Sequence, residues 1–176
     1  EFGSGQPVII LHGLFGQSDN WVTVARRIAD QFHVFIPDQR NHGQSPHASV
    51  HSFPAMADDL SIFIEEHNIV NPIIIGHSMG GKTAMTYALE NAGDVKKLVV
   101  IDISPRRYPE RKIHTQVISQ MMSIDLDSVT TRTEVEKILD SQISDSRVRM
   151  FIMKNIYYKI HSKLTWRLNL EAINQS

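Results

Sequence analysis

The stretch that decides the fold is IIIGHSMGGKT, residues 73–83. Its first part, Ile73–Ile75, is a short β-branched run that predicts a buried strand. The pentapeptide GHSMG that follows fits G-x-S-x-G, a nucleophile elbow in which a serine stands on a strained turn between a strand and a helix. Side chains at Gly76 and Gly80 would collide with neighbouring backbone and keep the helix away from the strand. The stretch therefore predicts a strand, a turn that presents Ser78, and a helix that begins just after it.

Similar patterns occur on both sides of this stretch. Three further apolar runs predict strands buried on both faces, at Val8–Leu11, His33–Ile36 and Leu98–Ile101. Helical patterns lie between the strands, with apolar faces formed by Trp21, Val24, Ala25, Ile28 and Phe32, and by Met56, Leu60, Phe63 and Ile64. Strands that alternate with helices predict a parallel sheet with right-handed crossovers. The fold class expected from this alternation is α/β.

The character of the chain changes near residue 105. Strand runs give way to helical stretches that contain Met121, Met122, Met150 and Met153. Residues 157–168 are ambiguous, and a short hairpin is one interpretation of them. We therefore expect two parts, a partial α/β core in residues 1–104 and a helical layer in residues 105–176.

Composition excludes several classes of protein. The chain has 176 residues, 41% of them apolar, which is enough for one buried core. Its 18 basic and 19 acidic residues are mixed, so no charged block points to nucleic acid or an anionic membrane surface. There is no apolar run of transmembrane length, and the absence of cysteine removes disulfides and thiolate chemistry. We expect a cytoplasmic protein whose partner is a small molecule, not nucleic acid or a membrane.

The turn around Ser78 predicts nucleophilic chemistry. Strain in such a turn holds the serine Oγ out toward a substrate. The turn also places the backbone N–H of Met79 at a helix N-terminus, where unpaired donors and the helix dipole stabilise a developing oxyanion. A second oxyanion donor is expected from the loop HGLFG after the first strand, and we choose the N–H of Leu14, followed by that of Phe15. Glycines on both sides let this loop fold closely over a substrate carbonyl.

The same residues also fit a second motif. The segment Gly76–Thr83 satisfies G-x-x-x-x-G-K-T, the phosphate-binding P-loop, with Asp102 in the place of its magnesium-binding acid. Local context cannot separate the two interpretations, since each needs a strand, a glycine-rich turn and a helix. A P-loop commonly follows the first strand of its domain, whereas two strand-helix units precede this one. The G-x-S-x-G interpretation is therefore favoured, and a nucleotide-binding domain is the alternative.

Three motifs in order carry a resemblance to a known family. They are HGLFG from His12, DQRNHGQS from Asp38 and GHSMGGK from Gly76. Together they resemble the YbfF-type esterases of the α/β-hydrolase family. The similarity extends from the first strand to Pro105 and weakens over the helical layer. Because members of the family are longer, the resemblance implies that this chain is incomplete at both termini.

The resemblance implies a serine esterase with a helical cap over its site. Such an enzyme uses a catalytic triad of serine, acid and histidine on short or medium acyl esters and thioesters. In this family the acid follows the strand after the elbow helix, and that position is Asp102 here. The residues agree, because Asp102 ends a strand of a parallel sheet, where ligand-facing residues collect. The acyl-enzyme route through Ser78 requires no metal, nucleotide or organic cofactor, so none is expected.

The general base is absent from this pattern. The family histidine follows the acid in sequence, and the histidines after Asp102 are His114 and His161. Both fall in the helical layer, whereas the family base lies on a loop after a late strand. We therefore assign no catalytic histidine and expect these 176 residues alone to be inactive. His12 and His77 are predicted to be structural neighbours of the site, with His77 pointing away from the serine.

Several of these residues have non-catalytic alternatives. Ser78 could cap the elbow helix, and Asp102 could cap the turn that leads into the helical layer. Asp38, Arg40 and His42 are predicted to stabilise a turn through an internal ion pair rather than to form a site. The whole fold could also serve as a non-catalytic binding module, because one fold hosts many functions.

Overall fold

A computed structural model describes residues 1–108, 112–159 and 163–176 of the chain. Its main sheet contains the strands β1 (Gln6–Leu11), β2 (Phe32–Phe35), β3 (Ile73–His77) and β4 (Lys97–Ile101). The strands lie in the order β2-β1-β3-β4, and every pair is parallel. The connecting helices are α1 (Val22–Ile28), α2 (Phe53–Glu66) and α3 (Met79–Glu90). The predicted α/β fold with a parallel sheet is confirmed.

The centre of the sheet is buried as its composition requires. Ile9, Ile10 and Ile74 have no exposed surface, because helices pack on both faces of the sheet. Helix α2 packs Leu60 against this sheet together with the partly buried Phe63 and Ile64, as the helical period of its apolar residues predicts. The core therefore fixes the carboxyl ends of β1 and β3 next to each other, which is where the candidate site lies.

The predicted burial of the last strand on both faces is wrong. Leu98, Val99 and Ile101 are between 37% and 41% exposed. Among the strands that the structure describes, β4 pairs only with β3 and stands at the edge of the sheet. An apolar run reveals strand propensity, but its position within a sheet depends on the other strands.

The apolar face predicted for the first helix is also wrong at one end. Helix α1 ends at Ile28, and Phe32 begins β2 instead of continuing the helix. Phe32 still packs against the same small cluster as Ala25. Val24 is 39% exposed and is not part of that cluster. The residues share a core, but they reach it from two different elements.

The later part of the chain is mostly helical. Its elements are α4 (Lys112–Met122), α5 (Arg132–Gln142), α6 (Ser146–Met153), β5 (Ile156–Tyr158), β6 (Leu164–Trp166) and α7 (Leu170–Asn174). Strands β5 and β6 pair antiparallel, so the suggested hairpin is confirmed. One apolar cluster joins these elements, and Phe15 of the loop after β1 is part of it. In the described parts of the chain, none of the helices is long and apolar enough to cross a membrane.

Candidate active site

Ser78 stands on the turn between β3 and α3 in a strained conformation. Its φ of 50° and ψ of −111° lie where side-chain-bearing residues are rarely found, at a cost of about 1–3 kcal/mol. Helix α3 begins at Met79, and Ser78 occupies the N-cap position without making a side-chain capping hydrogen bond. The alternative of an ordinary helix-capping serine is therefore wrong. The helix does not use the Oγ of Ser78.

Two glycines allow α3 to approach the sheet at this turn. A Cβ at Gly76 would lie 2.3 Å from the carbonyl oxygen of Gly80. A Cβ at Gly80 would lie 2.4 Å from the carbonyl oxygen of Leu11 and 2.6 Å from that of His12. The predicted need for glycine at both positions is confirmed. The N–H of Gly80 also donates to the His12 carbonyl at 3.1 Å, which ties the elbow to the loop after β1.

Asp102 lies beside Ser78 at the same end of the sheet. The register of β3 and β4 pairs His77 with Ile101, and the Ser78 N–H extends this ladder by donating to the Ile101 carbonyl at 2.9 Å. The residues that follow the two strands are therefore neighbours. Asp102 has a φ of 56°, and its side chain is 83% exposed. Its carboxylate is thus open to a partner on the side where the strands end.

His77 lies between these groups and the loop after β1. A Cβ at Gly13 would lie 2.8 Å from His77 Nδ1 and 3.4 Å from the Cβ of Ser78, so the loop packs directly on the elbow. His77 Nε2 lies 4.0 Å from Asp102 Oδ2, which is too long for a hydrogen bond. The structural role assigned to His77 stays a prediction.

The two predicted oxyanion donors are the backbone N–H groups of Leu14 and Met79. The N–H of Phe15, our second choice, donates to His42 Nε2 at 3.3 Å and is therefore occupied. Within the part of the chain that the structure describes, the Leu14 N–H has no hydrogen-bond acceptor. Met79 is the first residue of α3, so its N–H has no acceptor inside the helix. Leu14 and Met79 thus have the free N–H groups that an oxyanion hole requires.

His12 holds the start of the loop. Its Nδ1 bonds the Gly13 carbonyl at 2.9 Å, and its Nε2 accepts the Gln39 N–H at 3.0 Å. The Gln39 side chain donates back to the His12 carbonyl at 2.7 Å. Burial lowers the pKa of His12, so the ring is neutral and donates through Nδ1–H. The structural role predicted for His12 is confirmed.

His42 holds the next part of the loop in the same way. Its Nδ1 bonds the Arg40 carbonyl at 3.0 Å, while Nε2 accepts the Phe15 N–H. Burial lowers the pKa of His42 well below its ordinary value, and the nearby His12 lowers it further. Both ring nitrogens are occupied, so His42 cannot act as a base without losing this contact.

The ion pair predicted inside the DQRNHGQS turn is wrong. Arg40 instead makes a two-point pair with Asp59 of α2, with distances of 2.5 Å from Nε and 2.7 Å from Nη2, which raises the Arg40 pKa. Asp38 accepts the backbone N–H groups of Ser18 at 2.6 Å and Gln44 at 2.8 Å. The turn is therefore held to α2 by the ion pair of Arg40 and to the segment after β1 by the hydrogen bond that the Asp38 carboxylate accepts from Ser18.

The P-loop alternative is wrong. Helix α3 begins at Met79, so no extended loop is available to curve around a phosphate chain. Lys82 Nζ donates to the Arg106 carbonyl at 2.5 Å, and the buried Thr83 hydroxyl donates to the Met79 carbonyl at 3.3 Å. Neither side chain is placed for a nucleotide phosphate or its magnesium. Among the described residues, no group of three or more His, Asp or Glu side chains could hold a metal ion.

The helical layer contributes a residue that sequence reasoning missed. Asn155 follows α6, is fully buried, and donates from Nδ2 to the Phe15 carbonyl at 2.9 Å. A polar residue after an amphipathic helix usually marks only the end of the helix, so the sequence carries no signal for this contact. The His114 ring lies 6.3 Å from the Phe15 ring. His161 lies outside the described residues.

Comparisons with known proteins cover almost the whole chain. The sequence profile of the alpha/beta hydrolase fold matches residues 6–172. The chain is 36% identical to an sn-1-specific diacylglycerol lipase of Xenopus laevis over 97% of its own length and 56% of that protein. It is 31% identical to esterase YbfF of Escherichia coli over 97% of its length and 65% of that protein. The chain thus spans between about half and two thirds of these curated relatives.

Solved structures give the same result. A marine microorganism esterase superposes with a TM-score of 0.96 at 44% sequence identity, covering 99% of this chain and 69% of that one. The structure of E-2-(acetamidomethylene)succinate hydrolase superposes with a TM-score of 0.73 at 22% identity, covering 99% of this chain and 65% of that one. The second match shows only that the fold is the same.

Proposed function

The chain belongs to the alpha/beta hydrolase fold family, and from this premise we propose that it is part of a serine hydrolase. The substrates proposed are carboxylic esters or thioesters of short to medium acyl chains. The observation that carries the proposal is the strained Ser78, which makes no capping bond and lies against Gly13 of the neighbouring loop. Relatives named as an esterase, a diacylglycerol lipase and a marine esterase support this chemistry.

The proposed mechanism begins with attack of Ser78 Oγ on the acyl carbon. A histidine takes the serine proton, and Asp102 orients that histidine and stabilises its charged form. The N–H groups of Leu14 and Met79 hold the oxyanion of the tetrahedral intermediate. The alcohol or thiol leaves with the proton, and the resulting acyl-enzyme is cleaved by water. The helical layer is proposed to act as the cap over this site.

The proposed general base comes from a part of the protein outside these residues. His12 and His42 are excluded as bases, because hydrogen bonds occupy both nitrogens of each ring. His77 Nε2 lies 4.0 Å from Asp102 Oδ2, which is too far for a hydrogen bond. The exposed Asp102 carboxylate is free to receive another histidine.

The test compares the full-length protein with its Ser78→Ala variant. Hydrolysis of p-nitrophenyl acetate and p-nitrophenyl butyrate is measured, together with labelling by a fluorophosphonate. We expect turnover to fall by about 10⁶-fold, toward the background of the assay, and labelling to disappear. Equal turnover in the Ser78→Ala variant would contradict the proposal. An unreactive Ser78 in the folded wild type would favour a non-catalytic binding module instead.

The 176-residue chain alone provides the second arm of the test. Without a base, Ser78 stays a neutral hydroxyl, and the oxyanion hole alone leaves only about 10³- to 10⁴-fold acceleration over water. We therefore expect a trace of the full-length rate. Full activity that disappears in His77→Ala or His161→Ala would show that the base lies within the chain. A cytoplasmic location is part of the same proposal, and cell fractionation tests it.

A further inference from the structure

Phe15 carries an unusual backbone in the loop that holds the candidate oxyanion donor. Its φ is 61°, a left-handed conformation that an aromatic residue rarely adopts. Both of its backbone groups are held, the N–H by His42 and the carbonyl by Asn155. Its ring is buried in the apolar cluster of the helical layer. The left-handed conformation of Phe15 is therefore stabilised by His42 of the core and by Asn155 of the helical layer.

The hydrogen bonds beyond Phe15 run through two peptide groups to Leu14. Asn155 Nδ2 donates to the Phe15 carbonyl at 2.9 Å. The N–H of the same peptide group belongs to Gly16, and it donates to the Gly13 carbonyl at 2.9 Å. The N–H on the other end of the Gly13 peptide is that of Leu14. The bonds thus form one chain that starts at Asn155 and ends at the proposed oxyanion donor.

Asn155 is itself rigidly placed. Its backbone carbonyl accepts the Arg167 N–H at 2.8 Å. Arg132 of α5 donates to the carbonyls of Met153 and Ile156 on either side of it. The Oδ1 of Asn155 is buried and has no partner among the described residues. The amide therefore makes one side-chain hydrogen bond in this part of the chain, and that bond is to Phe15.

We infer that Asn155 is a positioning residue for the oxyanion hole, which deepens and rests on the proposed function. Its hydrogen bond orients the Phe15 peptide, and through Gly16 it orients the peptide that presents the Leu14 N–H. Hydrogen bonds in series also polarise one another, which makes the terminal N–H a stronger donor. The helical layer thus takes part in catalysis by setting the geometry of a donor on the core.

The variants that test this role are Asn155→Leu and Asn155→Asp in the full-length protein. Leucine removes the donor at similar volume. Aspartate leaves an acceptor facing the Phe15 carbonyl while it is ionised, but a protonated carboxyl can donate again. Burial raises the pKa of such a carboxyl. The control is Asn169→Leu, because Asn169 also joins the helical layer to the core but bonds Asn41 and Ala48 instead.

The expected result is a loss in kcat with little change in KM. Active sites are first counted by the burst of p-nitrophenol, so that poorly folded protein does not enter the rate. Removing an oxyanion donor outright costs about 10²- to 10³-fold, and we expect about 10- to 100-fold for misplacing one. Affinity for a trifluoromethyl ketone, whose adduct carries an oxyanion, should fall in parallel. The Asn169→Leu variant should lose thermal stability but keep its kcat per site within about threefold.

The pH profile separates positioning from a merely structural role. Relative to wild type at each pH, Asn155→Asp should regain activity as the pH falls and its carboxyl protonates. For Asn155→Leu, the ratio of variant to wild-type activity should not change with pH. If this variant does not fold, the pH dependence of the Asn155→Asp ratio is the test. Unchanged kcat per site in the variants, or a flat Asn155→Asp ratio, would overturn the inference. If Ser78→Ala keeps full activity, the proposed function itself fails, and the two failures are thus distinguishable.

Discussion

Replacing Gly80 with alanine tests whether the elbow and the loop after β1 form one packed unit. The new Cβ would lie 2.4 Å from the Leu11 carbonyl oxygen and 2.6 Å from that of His12. Both atoms belong to the backbone, so either α3 or the end of β1 must move. Overpacking costs about 1–3 kcal/mol, and weakening the bond from the Gly80 N–H adds about 1 kcal/mol. We expect the free energy of unfolding to fall by about 2–4 kcal/mol.

The matched control is Gly93→Ala. A Cβ at Gly93 would have no atom within 4 Å, and its φ lies outside the left-handed range. This variant should change the free energy of unfolding by less than about 1 kcal/mol. Urea unfolding of both variants, followed by tryptophan fluorescence, measures the difference. A free energy for Gly80→Ala within about 0.5 kcal/mol of that for Gly93→Ala would refute the packing argument.

We also expect the Gly80→Ala protein that does fold to have a lower rate per active site. Moving the His12 carbonyl moves Gly13 and Leu14 with it, since they follow directly in the chain. The rate per active site should therefore fall together with stability, whereas Gly93→Ala should affect neither. A destabilised variant with an unchanged rate per site would show that the loop adjusts without disturbing the oxyanion hole.

Two further predictions concern charge. In the full-length protein, Asp102→Asn should lower turnover by about 10⁴-fold and leave the melting temperature nearly unchanged, because the side chain is 83% exposed. Esterase assays and thermal melts measure this, and a fall below tenfold would place the acid elsewhere. Burial, with Arg40 as a lesser cause, lowers the pKa of His51 to about 4, so the unfolded chain binds its proton first as the pH falls below about 6.5. The free energy of unfolding should decrease between these values by at most about 1.4 kcal/mol per pH unit, and an equally steep decrease in His51→Asn would contradict this assignment.

Local features of the site were predictable because short-range sterics produce them. The glycines around Ser78 are required by carbonyl oxygens within 2.3–2.6 Å, and a strand, a turn and a helix have to meet there. The position of Asp102 follows from parallel topology, since the residues that follow two adjacent parallel strands lie at the same edge of the sheet. Met79 was predicted because it begins the elbow helix and Leu14 because it lies in the glycine-flanked loop after the first strand, and their catalytic roles stay proposals. An apolar run did not reveal that β4 lies at the edge of the sheet, because that depends on which strands pair with it.

Thus the sequence by itself determined the α/β fold and the elbow with its candidate serine and acid. Only the tertiary structure decided which polar groups hold the turn and the loop next to the elbow in place. Arg40 pairs with Asp59 rather than within its own turn, although the two are 19 positions apart. Asn155 bonds Phe15 across 140 positions. The physical reason is that a periodic pattern records the local conformation of a segment, whereas a hydrogen-bond partner is chosen by how distant segments pack around a common core.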